Sequence, residues 1–278
     1  VATVTKRKST PAWAVVSLLV GLVFFFVPLL AMARFAFQRV PTAILGRDTL
    51  FSKWTTDGLM DAIRDPKFGP ALMTSLKLAA ATVVLTLVIM LPTVLWVHLA
   101  APRMRSFVET ISLLPYVVPP IALVVGASGT YREVAPWFLR SDYALVPFYA
   151  ILAMPFTFRS LDVGIRSLDL RTLVDAGKSL GASPTRVMVN VVVPNLRSSI
   201  IGATFLTITV VLGEFTIASL LLKQTLPLYM AEAQGRYPQG ALGLGLVLLV
   251  LTTMSLGLLT LARKKSRPRA TTPSGVFT

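Results

Sequence analysis

The chain has 278 residues, 54% hydrophobic and only 14% charged, with a mean hydropathy of +0.73. That balance excludes an ordinary water-soluble globular domain and points to a bilayer as solvent. The net charge of +15 comes from basic residues scattered over short loops and tails, without the basic, aromatic-interleaved face that nucleic acid requires, and the absence of cysteine removes disulfides, thiolate metal sites and cysteine nucleophiles.

The apolar residues are gathered into long uncharged runs. A helix crossing about 30 Å of hydrocarbon needs roughly 20 residues at about 1.5 Å each. Six segments meet or approach this, at 12–33, 72–99, 110–130, 143–158, 198–222 and 237–262. The first follows Lys6, Arg7 and Lys8, with Thr10 as N-cap and Pro11 in the first turn. At about twice the apolar core of a signal peptide, it is read as a retained span. The third carries Pro115, Pro119 and Pro120, which predict a kinked or irregular first half, tolerable only where protein covers it or water reaches it. The fourth is short and holds Pro147 and Pro155.

Of the 27 lysines and arginines, sixteen fall on the side that carries the N-terminal tail 1–11, Arg103 and Arg105, the loop 159–197 and the basic C-terminal tail 263–278, which is expected to be disordered. Positive charge marks the cytoplasmic side. Both termini are therefore expected in the cytoplasm, with the membrane-spanning body over 12–262. The external loop from Arg34 to Lys67 has room for a short helix.

The loop 159–197 differs from the others. Asp169 is placed to cap a helix in which Leu170, Leu173, Val174, Gly177 and Leu180 form an apolar stripe, while Arg171, Asp175 and Lys178 face away. Gly181 supplies the stop. Ser183 and Pro184 read as the cap and first turn of a second helix running through Val189 until Pro194 breaks it. The pattern predicts a bent amphipathic pair suited to a groove in another protein, although amphipathicity alone fits a helix lying on lipid headgroups equally well.

Asp175-Ala176-Gly177, then Gly181 four positions on, then Val191-Val192-Val193-Pro194, resembles the EAA loop of binding-protein-dependent ABC importer permeases. That loop reads E-A-A, three residues, G, nine residues, I, one residue, L-P. Asp175 stands for Glu, Gly177 for the second Ala, and Val191 and Val193 for Ile and Leu, while the wording Ser179-Leu180-Gly181-Ala182-Ser183-Pro184 is also similar to the family's.

The resemblance covers about 68–262 and implies an all-α polytopic membrane protein with a type I importer fold. Its six transmembrane helices would carry a cytoplasmic coupling helix pair between spans four and five. It further implies a bacterial inner-membrane location, a cytoplasmic ABC ATPase dimer that binds ATP and magnesium, a second and related permease chain, and an extracytoplasmic substrate-binding protein. This chain itself would bind no cofactor.

A nucleotide loop of its own is excluded, because Gly177-Lys178-Ser179 lacks the earlier glycine that such a loop needs at the position of Thr172. An intramembrane enzyme would need a paired nucleophile and base, and an autonomous carrier several buried charges or repeated halves; neither pattern is visible.

Glu214, in Gly213-Glu214-Phe215-Thr216, is the acidic residue deepest in an expected span. With Phe215 it is a candidate for the translocation path or, equally, a polar clamp between helices. Lys77 and Glu109 read as span-end residues that snorkel, His98 as a span-end residue without the cysteine or second histidine a metal site would want, and Gly240, Gly243 and Gly245 as packing positions. The Gly-Glu-Phe-Thr wording, the long first external loop and Tyr237-Pro238-Gln239-Gly240-Ala241 look most like spermidine/putrescine-type permeases, although Gly-Glu-Phe also resembles sulfate and molybdate permeases. Ferric iron, thiamine, sulfate or molybdate, and phosphonate remain as alternative substrates.

Overall fold

The structure, a computed structural model, describes residues 12–38 and 53–265, the last eight of them as backbone only. The expected caps Thr10 and Pro11, the N-terminal basic cluster and the tail beyond residue 265 lie outside the described residues. Every regular element described is helical. In chain order these are α1 (Ala12–Phe37), α2 (Asp57–Arg64), α3 (Phe68–Leu99), α4 (Arg105–Val117), α5 (Pro120–Val134), α6 (Pro136–Arg140) and α7 (Leu145–Arg166). After them come α8 (Leu170–Ser179), α9 (Pro184–Val187), a π-helical turn at Met188–Val192, α10 (Val193–Asn195), α11 (Arg197–Gly213), α12 (Thr216–Leu220), α13 (Leu226–Ala233) and α14 (Pro238–Lys265).

Among the described residues, four unbroken helices are long and apolar enough to cross a bilayer, and up to six crossings result if each of two bent pairs is one span. The bends have local causes. In α4 and α5 the 92° turn falls at Val118-Pro119, where Pro120 restricts the residue before it to extended backbone; Pro119 has ψ 136° and Val118 ψ 122°. Pro115, expected to disturb this span, lies inside α4 without ending it. The other bend, 69°, falls at Leu196 between α10 and α11, two residues after Pro194, with the widened π turn accommodating the missing proline N–H on the side before it.

Other boundaries move for tertiary reasons. Helix α7 continues past residue 158, where the fourth span was expected to end, because Leu161 and Ile165 are buried and hold its last turns. The fifth span is interrupted: α11 has 17 residues, and the chain leaves helical geometry at Glu214 before α12 begins. Helix α13, between spans five and six, was not anticipated.

The chain divides into two compact units. In the first, formed by the described residues up to Asp65 and by 230–248, α2 packs on the start of α14. A Cβ on Gly240 would overlap the carbonyl of Gly58, and Gly243 lies against Leu59, so these glycines serve close packing. Arg236 holds the buried Asp65 at 2.8 Å.

The second unit is built on α3, α7 and α11. Its core has two parts. One gathers Leu78, Val124, Leu145, Phe148, Tyr149, Val211 and Ile217 from α3, α5, α7, α11 and α12. The other gathers Val94 and Leu95 of α3, Leu161 and Ile165 of α7, Leu170 and Val174 of α8, Val187 of α9, Val192 and Leu196. The bent pair α8–α9 is thus anchored by apolar side chains to the helices above it.

Candidate functional site

Two regions of the second unit contain the residues singled out in the sequence. The first is the loop between α7 and α11. Asp169 caps α8, accepting from Thr172 N–H at 3.4 Å and from the Thr172 hydroxyl at 2.7 Å. These donors hold its carboxyl below the usual carboxylate range.

At the other end of α8, Ala182 N–H donates to Gly177 O at 3.0 Å and Gly181 N–H to Lys178 O at 2.9 Å. This paired arrangement satisfies the last carbonyls of a helix, and it needs a left-handed residue at its turn. Gly181 provides it with φ +76°. Ser183 then accepts from Arg186 N–H, and Pro184 opens α9 where its missing N–H does no harm.

Leu170 and Val174 are buried as the stripe predicts, but Leu180 is not. As the residue after the last helical turn it points outward and is 88% exposed. Asp175, Ala176, Ser179, Ser183, Pro184 and Pro194 are also exposed, whereas Gly177 and Ala182 are half-buried against the second helix and the core. The second helix departs from expectation too, passing at Met188 into the π turn instead of continuing regularly through Val189.

The second region is the break in span five. Glu214 leaves the end of α11 and turns its carboxylate onto the start of α12, where Ile217 N–H donates to its two oxygens at 3.1 and 3.0 Å. Glu214 and Phe215 line a cavity of about 440 Å³ with Pro115, Tyr116, Phe156 and Gly213. Both breaks, represented by Val118 and Pro120 and by Glu214 and Phe215, border this space, so the irregular backbone adjoins a cavity.

A third cluster was missed by sequence reasoning. Asp162 of α7, its side chain 6% exposed, accepts from Arg105 Nε at 2.7 Å and Nη2 at 2.8 Å. His98 Nε2 lies 2.9 Å and Arg166 Nε 3.3 Å from the same carboxylate. His98 therefore has a carboxylate partner, and Glu109, expected simply to snorkel, stands 3.7 Å from Arg105. Arg166 is the i+4 neighbour of Asp162 on α7, but Arg105 and His98 lie 57 and 64 residues away in sequence, so no local pattern gives the cluster.

A helical bundle with broken spans beside a cavity, and with a bent helix pair between two of its long helices, is the architecture expected of a membrane transport permease. The chain belongs to the family of binding-protein-dependent transport system inner membrane components, which it matches over residues 104–267. It is similar to the molybdenum transport system permease protein ModB of Mycobacterium tuberculosis and to that of Mycobacterium bovis, each 28% identical over 261 residues covering 88% of this chain and 91% of the relative. It is also 28% identical to the ModB permease of Azotobacter vinelandii over 156 residues, 52% of this chain and 69% of that protein.

Proposed function

We propose that this chain, with a second permease subunit, forms the path of an ATP-driven importer for molybdate or a related tetrahedral oxyanion. The loop 159–197 is the coupling element, and its residues Asp175, Ala176, Gly177, Ser179 to Pro184 and Pro194 meet a cytoplasmic ATPase dimer that holds ATP and magnesium. An extracytoplasmic binding protein delivers the substrate. Family membership implies an ATPase and a binding protein in general. Their docking sites, the cytoplasmic location of both termini and the single permease body over 12–262 are part of the proposal.

The observation that carries the coupling role is the Gly181 turn. It is tied by backbone hydrogen bonds, anchored by Leu170, Val174 and Val187, and presents an exposed Leu180 at its tip. An apolar side chain displayed on a braced turn suits a cleft in a partner better than solvent.

For the substrate, the named relatives favour the molybdate alternative over the polyamine reading.

Proteoliposomes containing the permease with its ATPase and binding protein test both halves. Molybdate should stimulate ATP hydrolysis and spermidine should not; stimulation by spermidine alone restores the polyamine reading. Since the chain has no cysteine, Leu180→Cys creates a single label site. It should react from the cytoplasmic face and crosslink to the ATPase, and reaction from the outside sinks the coupling assignment.

A further inference from the structure

The charge cluster around Asp162 has no part in the site described so far, yet it lies between the bent pair and the cavity. Asp162 is on the same turns of α7 as Leu161 and Ile165, whose side chains pack with Leu170 and Val174 of α8. Its carboxylate is gripped through two parallel bonds by Arg105, the first residue of α4. A bidentate guanidinium–carboxylate pair fixes orientation as well as distance, and with Asp162 only 6% exposed it is shielded from salt.

At its other end α4 is held to α7 a second time. Tyr116 Oη donates to Leu152 O at 3.0 Å, and its ring meets that of Phe156 edge-on at 5.8 Å. Residues 105 and 116 are roughly 17 Å apart along a helix, and 162 and 152 roughly 15 Å. The two helices are therefore pinned at both ends in antiparallel register. One pin would let the far ends of the helices splay apart; two oppose that splaying. Tyr116 itself lines the cavity.

We propose that Asp162 is a positioning residue that locks α4 to α7 as one rigid lever, so that displacement of the α8–α9 pair reaches the cavity wall. This rests on the coupling role proposed above. Asp162 touches no substrate; it acts through Arg105 on α4. His98, at the end of α3, and Arg166 complete the anchorage by surrounding the same carboxylate.

The test uses paired spin labels at Phe107 of α4 and Val163 of α7, which are 55% and 63% exposed, in the assembled transporter with and without nucleotide. The separation should stay the same across nucleotide states. In Asp162→Asn the distribution should broaden, and uptake per ATP hydrolysed should fall about tenfold, within the usual span of coupling energies. Asp162→Glu, which retains the carboxylate, should restore a narrow separation.

A Phe107–Val163 distance that changes with nucleotide overturns the lever, as does unaltered uptake per ATP in Asp162→Asn. If that variant fails to insert, Arg105→Lys, which keeps the charge but loses the two parallel bonds, replaces it, and unaltered uptake per ATP there overturns the lock. Loss of the Leu180→Cys crosslink to the ATPase would mark failure of the coupling reading instead.

Discussion

Gly177 of α8 lies so close to Val187 of α9 that a Cβ built on it would come within 2.5 Å of Val187 Cγ2. The position that departs from the family's second alanine is thus matched to a β-branched neighbour, and the glycine sets how tightly the bent pair closes. Replacement by alanine gains about 1 kcal/mol of helix propensity, but overpacking costs typically 1–3 kcal/mol. Gly177→Ala alone should therefore lower thermal stability in detergent, and adding Val187→Ala should recover part of the loss. Additive effects of the two changes would show that the contact does not govern the packing.

Gly181 has open space around it, so the constraint there is its backbone angle of +76°. Asparagine tolerates this conformation and a β-branched residue does not. Gly181→Asn should sustain uptake close to normal. Gly181→Val, strained by about 1–3 kcal/mol, should insert normally yet hydrolyse ATP without matching uptake. Parallel assays of hydrolysis and transport in vesicles check this, and normal transport by the valine variant counts against the coupling role.

The Glu214 carboxylate caps α12 through Ile217 N–H. Glutamine can still accept that bond through its amide oxygen, whereas alanine leaves the amide without it at a cost of about 1 kcal/mol. Glu214→Gln should retain most uptake and Glu214→Ala should lose it. Equal loss in both would assign the charge itself, not the cap, to the path.

Asp169 provides a pH readout of the coupling pair. Its carboxyl is held low by the Thr172 hydroxyl and backbone N–H, so the folded value lies below the unfolded one. The cap is then fully effective above the ordinary aspartate range near about 4 and weakens as pH falls through the folded value. Protection of the α8 amides from hydrogen exchange should drop with acidification over that interval. Asp169→Asn, also a good cap, should abolish the pH dependence while keeping the helix.

Much of this architecture was legible because its signals are local. Apolar runs marked the spans, and Asp169, Gly181, Ser183 and Pro184 gave the ends of the two short helices, since caps and left-handed turns depend on residues within one turn of each other. What failed was equally specific. Leu180 fits the stripe by spacing but falls after the last turn, and residues 159–166 carry loop-like charge while Leu161 and Ile165 bury the opposite face.

From the residues alone came the membrane setting, the apolar runs and the bent pair between the fourth and fifth of them. Only the tertiary structure joined Asp162 to Arg105, set Gly177 against Val187 and turned Glu214 from a mid-span acid into the cap of a broken helix. The physical reason is range: helix periodicity and capping act over about four residues. A buried carboxylate, by contrast, takes whatever cation the packing of distant helices brings within reach.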